Sequence, residues 1–176
     1  MKKETEPLNP QQGGTSQCTH SVLSSVSPEA VVIYCSDPRF QGAFQEFIEG
    51  TLGLAKGQYI PFVVAGGPGA LARPLELPKE FKFMRERLDL FREHFKSIKR
   101  IVLLGHEDCA YYKALPISVL EGLLSKVHIQ HLPRADMQLI AKVFTQFLSY
   151  LGMQVEFYYA KFANDEHTQV VFDKVG

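Results

Sequence analysis

At 176 residues, with 45% hydrophobic and 22% charged side chains, the chain is long enough for one domain whose core needs no disulfide or structural metal. Its 19 Lys plus Arg balance 19 Asp plus Glu, which argues against electrostatic attachment to nucleic acid or to an anionic membrane. No apolar run is long enough to span a bilayer, and three cysteines cannot all pair within one chain.

Met1 to Ser27 carries Pro7, Pro10, Gly13, Gly14 and many Ser, Thr and Gln residues, the composition of a flexible arm ahead of a single α/β domain over 28–176. Met1 to Gln12 is polar and lacks the apolar core of a signal peptide, so export is not expected and a reducing cytoplasm is. Cys18 and His20 read as a tail thiol and a tail imidazole, because a mobile segment loses much backbone entropy in holding a metal. Val31 to Tyr34 is a short apolar run, the mark of a buried strand, and Cys35, Asp37 and Arg39 follow at alternate positions past its end. Asp37 followed by Pro38 predicts a helix start, with Phe40, Phe44, Phe47 and Ile48 as its apolar stripe and an end near Gly50 or Gly53.

Tyr59 to Val64 reads as a second strand, placed at an edge by Pro61. The segment Ala65-Gly66-Gly67-Pro68-Gly69-Ala70 matches neither a P-loop nor a dinucleotide fingerprint, and is expected to need positive φ or close backbone approach. Lys79 to Ile98 forms an amphipathic helix with Phe81, Met84, Leu88, Phe91 and Phe95 on one stripe. Ile101 to Gly105 is a third buried strand and runs directly into His106-Glu107-Asp108-Cys109. A helix over 114–127 is expected next. His128 and His131 after it have a loose metal spacing but no Cys or carboxylate partner, and are placed at a pocket mouth. A helix over 135–151 and strands over 154–160 and 168–172 complete the chain.

The alternation of strands and helices predicts an α/β fold: an open, mostly parallel sheet flanked by helices. If the sheet order begins 2-1-3, strands one and three are neighbours and their carboxyl ends meet at a switch point, where open sheets bind ligands. Cys35, His106 and Cys109 then converge on one site. Two thiolates and an imidazole suit zinc and leave a fourth position open. A helix opening near Asp108 would set Cys109 in its first turn, where the dipole favours thiolate.

Cys35-Ser36-Asp37-Pro38-Arg39 resembles the Cys-Ser-Asp-Ser-Arg motif of the β-class carbonic anhydrases, and Gly105-His106-Glu107-Asp108-Cys109 resembles that family's Gly-His-x-x-Cys. The resemblance covers about Ser27 to Tyr112. It implies one Zn2+ per chain on Cys35, His106 and Cys109, and Asp37 and Arg39 as a catalytic pair beside it. It further implies reversible hydration of carbon dioxide to bicarbonate by zinc-bound hydroxide, and a homodimer or higher homo-oligomer. The chain departs from the family at Pro38, where the motif has its second Ser, at Ala110, where a Gly usually follows the second Cys, and at Gly66–Gly69, where an Arg-Asn pair is usual. These departures keep two other functions in view: a hydrolase of carbonyl sulfide or carbon disulfide, and a catalytically silent zinc-binding scaffold. A redox enzyme fits less well, since no Cys-x-x-Cys supplies a resolving cysteine.

Overall fold

The computed structural model describes residues 19–115 and 132–175. Most of the expected arm, with Cys18, most of the helix expected over 114–127, and His128 and His131 lie outside the described residues. Residues 19–27, His20 among them, are exposed and form no helix or strand.

Five strands form one sheet: β1 (Ala30–Cys35), β2 (Tyr59–Val64), β3 (Arg100–His106), β4 (Gln154–Phe162) and β5 (Val170–Lys174), in the order β2-β1-β3-β4-β5. The first four are mutually parallel and β5 returns antiparallel to β4. β2 is an edge strand, which frees Pro61 from donating into a second ladder. β1 and β3 pair in register from Ala30 with Arg100 to Ile33 with Leu103, so both end on the same side of the sheet.

Alternation along the central strands feeds two cores. Val31, Ile33, Ile101 and Leu103 face α2 (Pro78–His94) and α4 (Leu132–Val143) through Phe81, Met84, Leu88, Met137 and Ile140. Ala30, Val32, Val102 and Leu104 pack with Phe40, Phe44, Phe47 and Ile48 around α1 (Gln41–Glu46) and the π turn Phe47–Thr51. Both faces of β1 and β3 are therefore covered, as their unbroken apolar runs require.

The last strand lies two residues later than expected, and three helix boundaries also differ. The first helix begins at Gln41, not at Pro38. The Asp37 carboxylate does accept the Arg39 N–H (3.0 Å), but it caps an isolated turn closed by Phe40 N–H on the Asp37 carbonyl. α2 stops at His94, and Phe95 and Ile98 then pack inward on the connection to β3. α4 starts at Leu132, before the expected Ala135, because Pro133 is tolerated in a first turn; the chain then loosens into a π turn and a 3-10 turn ending at Leu151. No helix among the described residues is long and apolar enough to cross a membrane.

Candidate metal centre

Cys35 is the last residue of β1 and His106 the last of β3, while Cys109 stands two residues beyond Glu107, just before α3 (Ala110–Lys113). All three are buried, and their ligand atoms lie within 4.8 Å of one another, with the two sulfurs 3.7 Å apart. The turn that returns Cys109 to His106 passes through Asp108 at φ 51°, a left-handed conformation for which Asp is among the better-suited side chains.

The imidazole is set for ligation. His106 Nδ1 lies 2.8 Å from the Glu107 carbonyl, which can only accept, so the proton sits on Nδ1 and Nε2 carries the lone pair. Nε2 is buried without a hydrogen-bond partner among the described residues, an arrangement that a cation would satisfy. The ring is held by Phe40 at 4.2 Å between centroids.

The thiols share their protons unequally. Cys35 is driven below the usual thiol range by its hydrogen bond with the Cys109 thiol, with burial opposing the shift and the Asp37 backbone N–H adding to it. Cys109 is pushed up by the neighbouring Cys35 and by burial. Cys109 stands at the N-cap of α3, whose four helical residues supply little dipole field, so the adjacent sulfur weighs more on its thiol. A cation between the sulfurs would remove that repulsion and suit both thiolates. Two thiols and one imidazole nitrogen could hold a metal ion, and they are the donor types that zinc selects.

The glycine-rich segment provides the close approach expected of it. Gly66 and Gly67 have φ of 79° and 56°. A Cβ on Gly67 would stand 3.0 Å from the Cys35 backbone nitrogen, and one on Gly66 would collide with the Tyr111 ring. The bare backbone therefore seals the site against β1 and α3.

Asp37 and Arg39 lie at the mouth. Arg39 donates from Nε to Asp37 Oδ1 (3.1 Å) and from Nη2 to Oδ2 (2.8 Å), and these bonds hold the Asp37 carboxyl below its ordinary value. Gln41 Nε2 donates to the carbonyls of Cys35 and Asp37, both at 2.8 Å, fixing the loop between them. A cavity of about 430 Å³ opens here, bordered by Cys35, Asp37, Arg39, Gly66, Ala110 and Tyr111.

A further group escaped the sequence reading. Tyr112 O–H donates to Asp136 Oδ2 (2.7 Å), and Asp136 forms an ion pair with Arg73. All three are buried, tying α3, α4 and the 3-10 segment Gly67–Ala72 together behind Cys109. Asp136 falls on the apolar stripe of its helix with Ile140 and Val143, and a charge on a buried face calls for a partner. That was the available signal.

No protein-family model matches the chain, nor does any curated protein. Solved structures do. A β-carbonic anhydrase of Trichomonas vaginalis superposes over 88% of this chain and 86% of its own, at TM-score 0.51 and 14% identity. The chain has the β-carbonic anhydrase fold. Carbonic anhydrases from Streptococcus mutans (TM-score 0.50, 16% identity, 90% of this chain and 88% of that one) and Glaciozyma antarctica (0.50, 15%, 86% and 85%) superpose equally well. At such identities the likeness concerns the fold.

Proposed function

We propose that the chain is a zinc-dependent carbonic anhydrase that interconverts carbon dioxide and bicarbonate at the Cys35–His106–Cys109 site. One observation carries the reading: a buried imidazole nitrogen without a partner among the described residues faces two thiols within 4.8 Å, beside a carboxylate paired with a guanidinium. Zinc, when bound, supplies a Lewis acid that makes water acidic enough to act as a nucleophile.

The chain's own residues do the rest. Cys35, Cys109 and His106 Nε2 hold the cation, and the Glu107 carbonyl keeps the imidazole in the ligating tautomer. Asp37, kept ionised by Arg39, accepts a hydrogen bond from the attacking oxygen nucleophile and so aims its lone pair. The Ala65, Gly66 and Ala110 wall offers carbon dioxide an apolar resting place. Pro38, Gly66 and Ala110, the positions that depart from the family's pattern, border this same cavity, which favours carbonyl sulfide or carbon disulfide as the second reading. The unpaired edge of β2, with Val63 exposed and Phe83 of α2 near it, suits a homodimer or higher homo-oligomer. A reducing cytoplasm suits two thiols 3.7 Å apart.

Stopped-flow hydration of carbon dioxide by the zinc-loaded protein tests the proposal. Activity that rises toward alkaline pH and falls on Asp37→Ala is expected. A zinc-loaded parent with no rate above background from neutral to alkaline pH would overturn it and favour a silent scaffold.

A further inference from the structure

Arg39 has five N–H donors and uses four of them. Nε and one hydrogen of Nη2 go to Asp37; the others reach across the site mouth to the β3 loop. Nη1 donates to Asp108 Oδ2 at 3.0 Å and Nη2 to the Asp108 carbonyl at 2.9 Å. The second carboxylate oxygen of Asp108 accepts from Lys113 Nζ at 2.6 Å. Charges therefore alternate from Asp37 through Arg39 and Asp108 to Lys113, across three separate segments of chain.

We propose that Asp108 is a positioning residue that clamps Arg39 against Asp37. The inference rests on the reading of Asp37 given above. An Arg side chain that is 45% exposed gains little from one carboxylate two residues away, because water screens the pair and many rotamers compete. Two additional bonds from a different strand's loop remove those rotamers. Lys113 makes the arrangement workable: it balances the Asp108 carboxylate, so the charge of Arg39 is left for Asp37. The backbone of Asp108 is shaped for the task, since its left-handed φ of 51° turns carbonyl and carboxylate toward the same guanidinium. Backbone held in a sparsely populated region at a site mouth fits a functional constraint. Within the Gly-His-x-x-Cys pattern this position is otherwise unassigned.

The test uses zinc-loaded full-length protein and the Nε–Hε NMR signal of Arg39, assigned by its disappearance in Arg39→Lys. Asp108→Asn and Asp108→Gly both tolerate positive φ and each removes the carboxylate. Both variants should keep zinc and melt as the parent does. In both, the Arg39 Nε–Hε should lose order and exchange with water about tenfold faster, the factor set by losing one charge-assisted hydrogen bond. The kcat for carbon dioxide should fall by a similar factor with KM unchanged, a split that general loosening of the fold does not produce. An Arg39 signal equally ordered and equally protected in both variants overturns the proposal. A parent that shows the ordered signal but hydrates no carbon dioxide overturns the functional reading instead, and the NMR result still decides whether Asp108 holds Arg39.

Discussion

Near the candidate metal centre Arg meets Asp in two settings, one buried and one at the mouth. Arg73 and Asp136 are 2% and 1% exposed and sit behind Cys109, with Tyr112 as a third member. Arg39 and Asp37 stand at the mouth, where the guanidinium side chain is 45% exposed. Burial makes the inner pair indispensable once present, because either charge left alone would have no water to turn to. Solvent around the Arg39 guanidinium makes the outer pair weigh little in folding, while the Asp37 side chain, itself only 9% exposed, borders the cavity where the proposed function places substrate. The same chemical pair thus braces in one place and, in the proposed function, orients in the other.

Breaking the inner pair should have the largest effect. Arg73→Ala or Asp136→Ala should lower unfolding free energy by about 3–5 kcal/mol in urea titrations, since each strands a buried charge. The double replacement Arg73→Met with Asp136→Leu should recover most of that loss, which would mark the pair as a brace and not a net source of stability. At the mouth, Asp37→Ala should reduce kcat/KM for carbon dioxide by about 10²-fold, the scale of losing a group that orients the nucleophile. The same substitution should leave zinc content unchanged. For stability the contrast reverses: Arg39→Ala should cost less than about 1 kcal/mol in the same titration. A loss as large as that of Arg73→Ala would mean the two pairs do not differ in kind.

What the sequence carries about each pair follows from distance along the chain. Cys35, Asp37 and Arg39 fall within five residues at the end of an apolar run, and His106 and Cys109 repeat that pattern, so ligand type and strand end mark the site together. The 2-1-3 order then brings the two ends side by side, as the observed sheet does. The inner pair joins positions 63 residues apart, one in a Gly- and Ala-rich segment and the other in a helix, and no local pattern links them. Asp108 and Gln41 were hidden for another reason. Asp108 meets the Arg39 guanidinium only through the turn at its own position, whose positive φ no periodicity announces, and Gln41 meets two backbone carbonyls, which leave no mark in the side-chain pattern. The first helix began late because Asp37 satisfied a turn and Arg39 instead of a helix end.

Acid should separate the pairs by sign, with the smallest magnitudes of all. Asp37 is lowered by its bonds from Arg39, and Asp108 by Lys113 and then Arg39. A carboxyl depressed in the folded state contributes stability in full above its unfolded value, here 3.8, and loses it as pH falls through the depressed value. Asp136 goes the other way: burial raises it, although Arg73 and Tyr112 oppose the shift. Its contribution is complete below 3.8 and is lost as pH rises through the raised value. Stability measured against pH for the parent, Asp37→Asn and Asp136→Asn should therefore give difference curves of opposite slope. The parent's advantage over Asp37→Asn should shrink below about pH 4, while its standing against Asp136→Asn should improve as pH falls. Taking differences cancels titrations common to all three proteins, those of the two thiols included. Salt at about 1 M should flatten the Asp37 curve, because its pair is reached by mobile ions, and leave the Asp136 curve unchanged. Curves of the same slope, or equal sensitivity to salt, would show that burial does not set the two pairs apart.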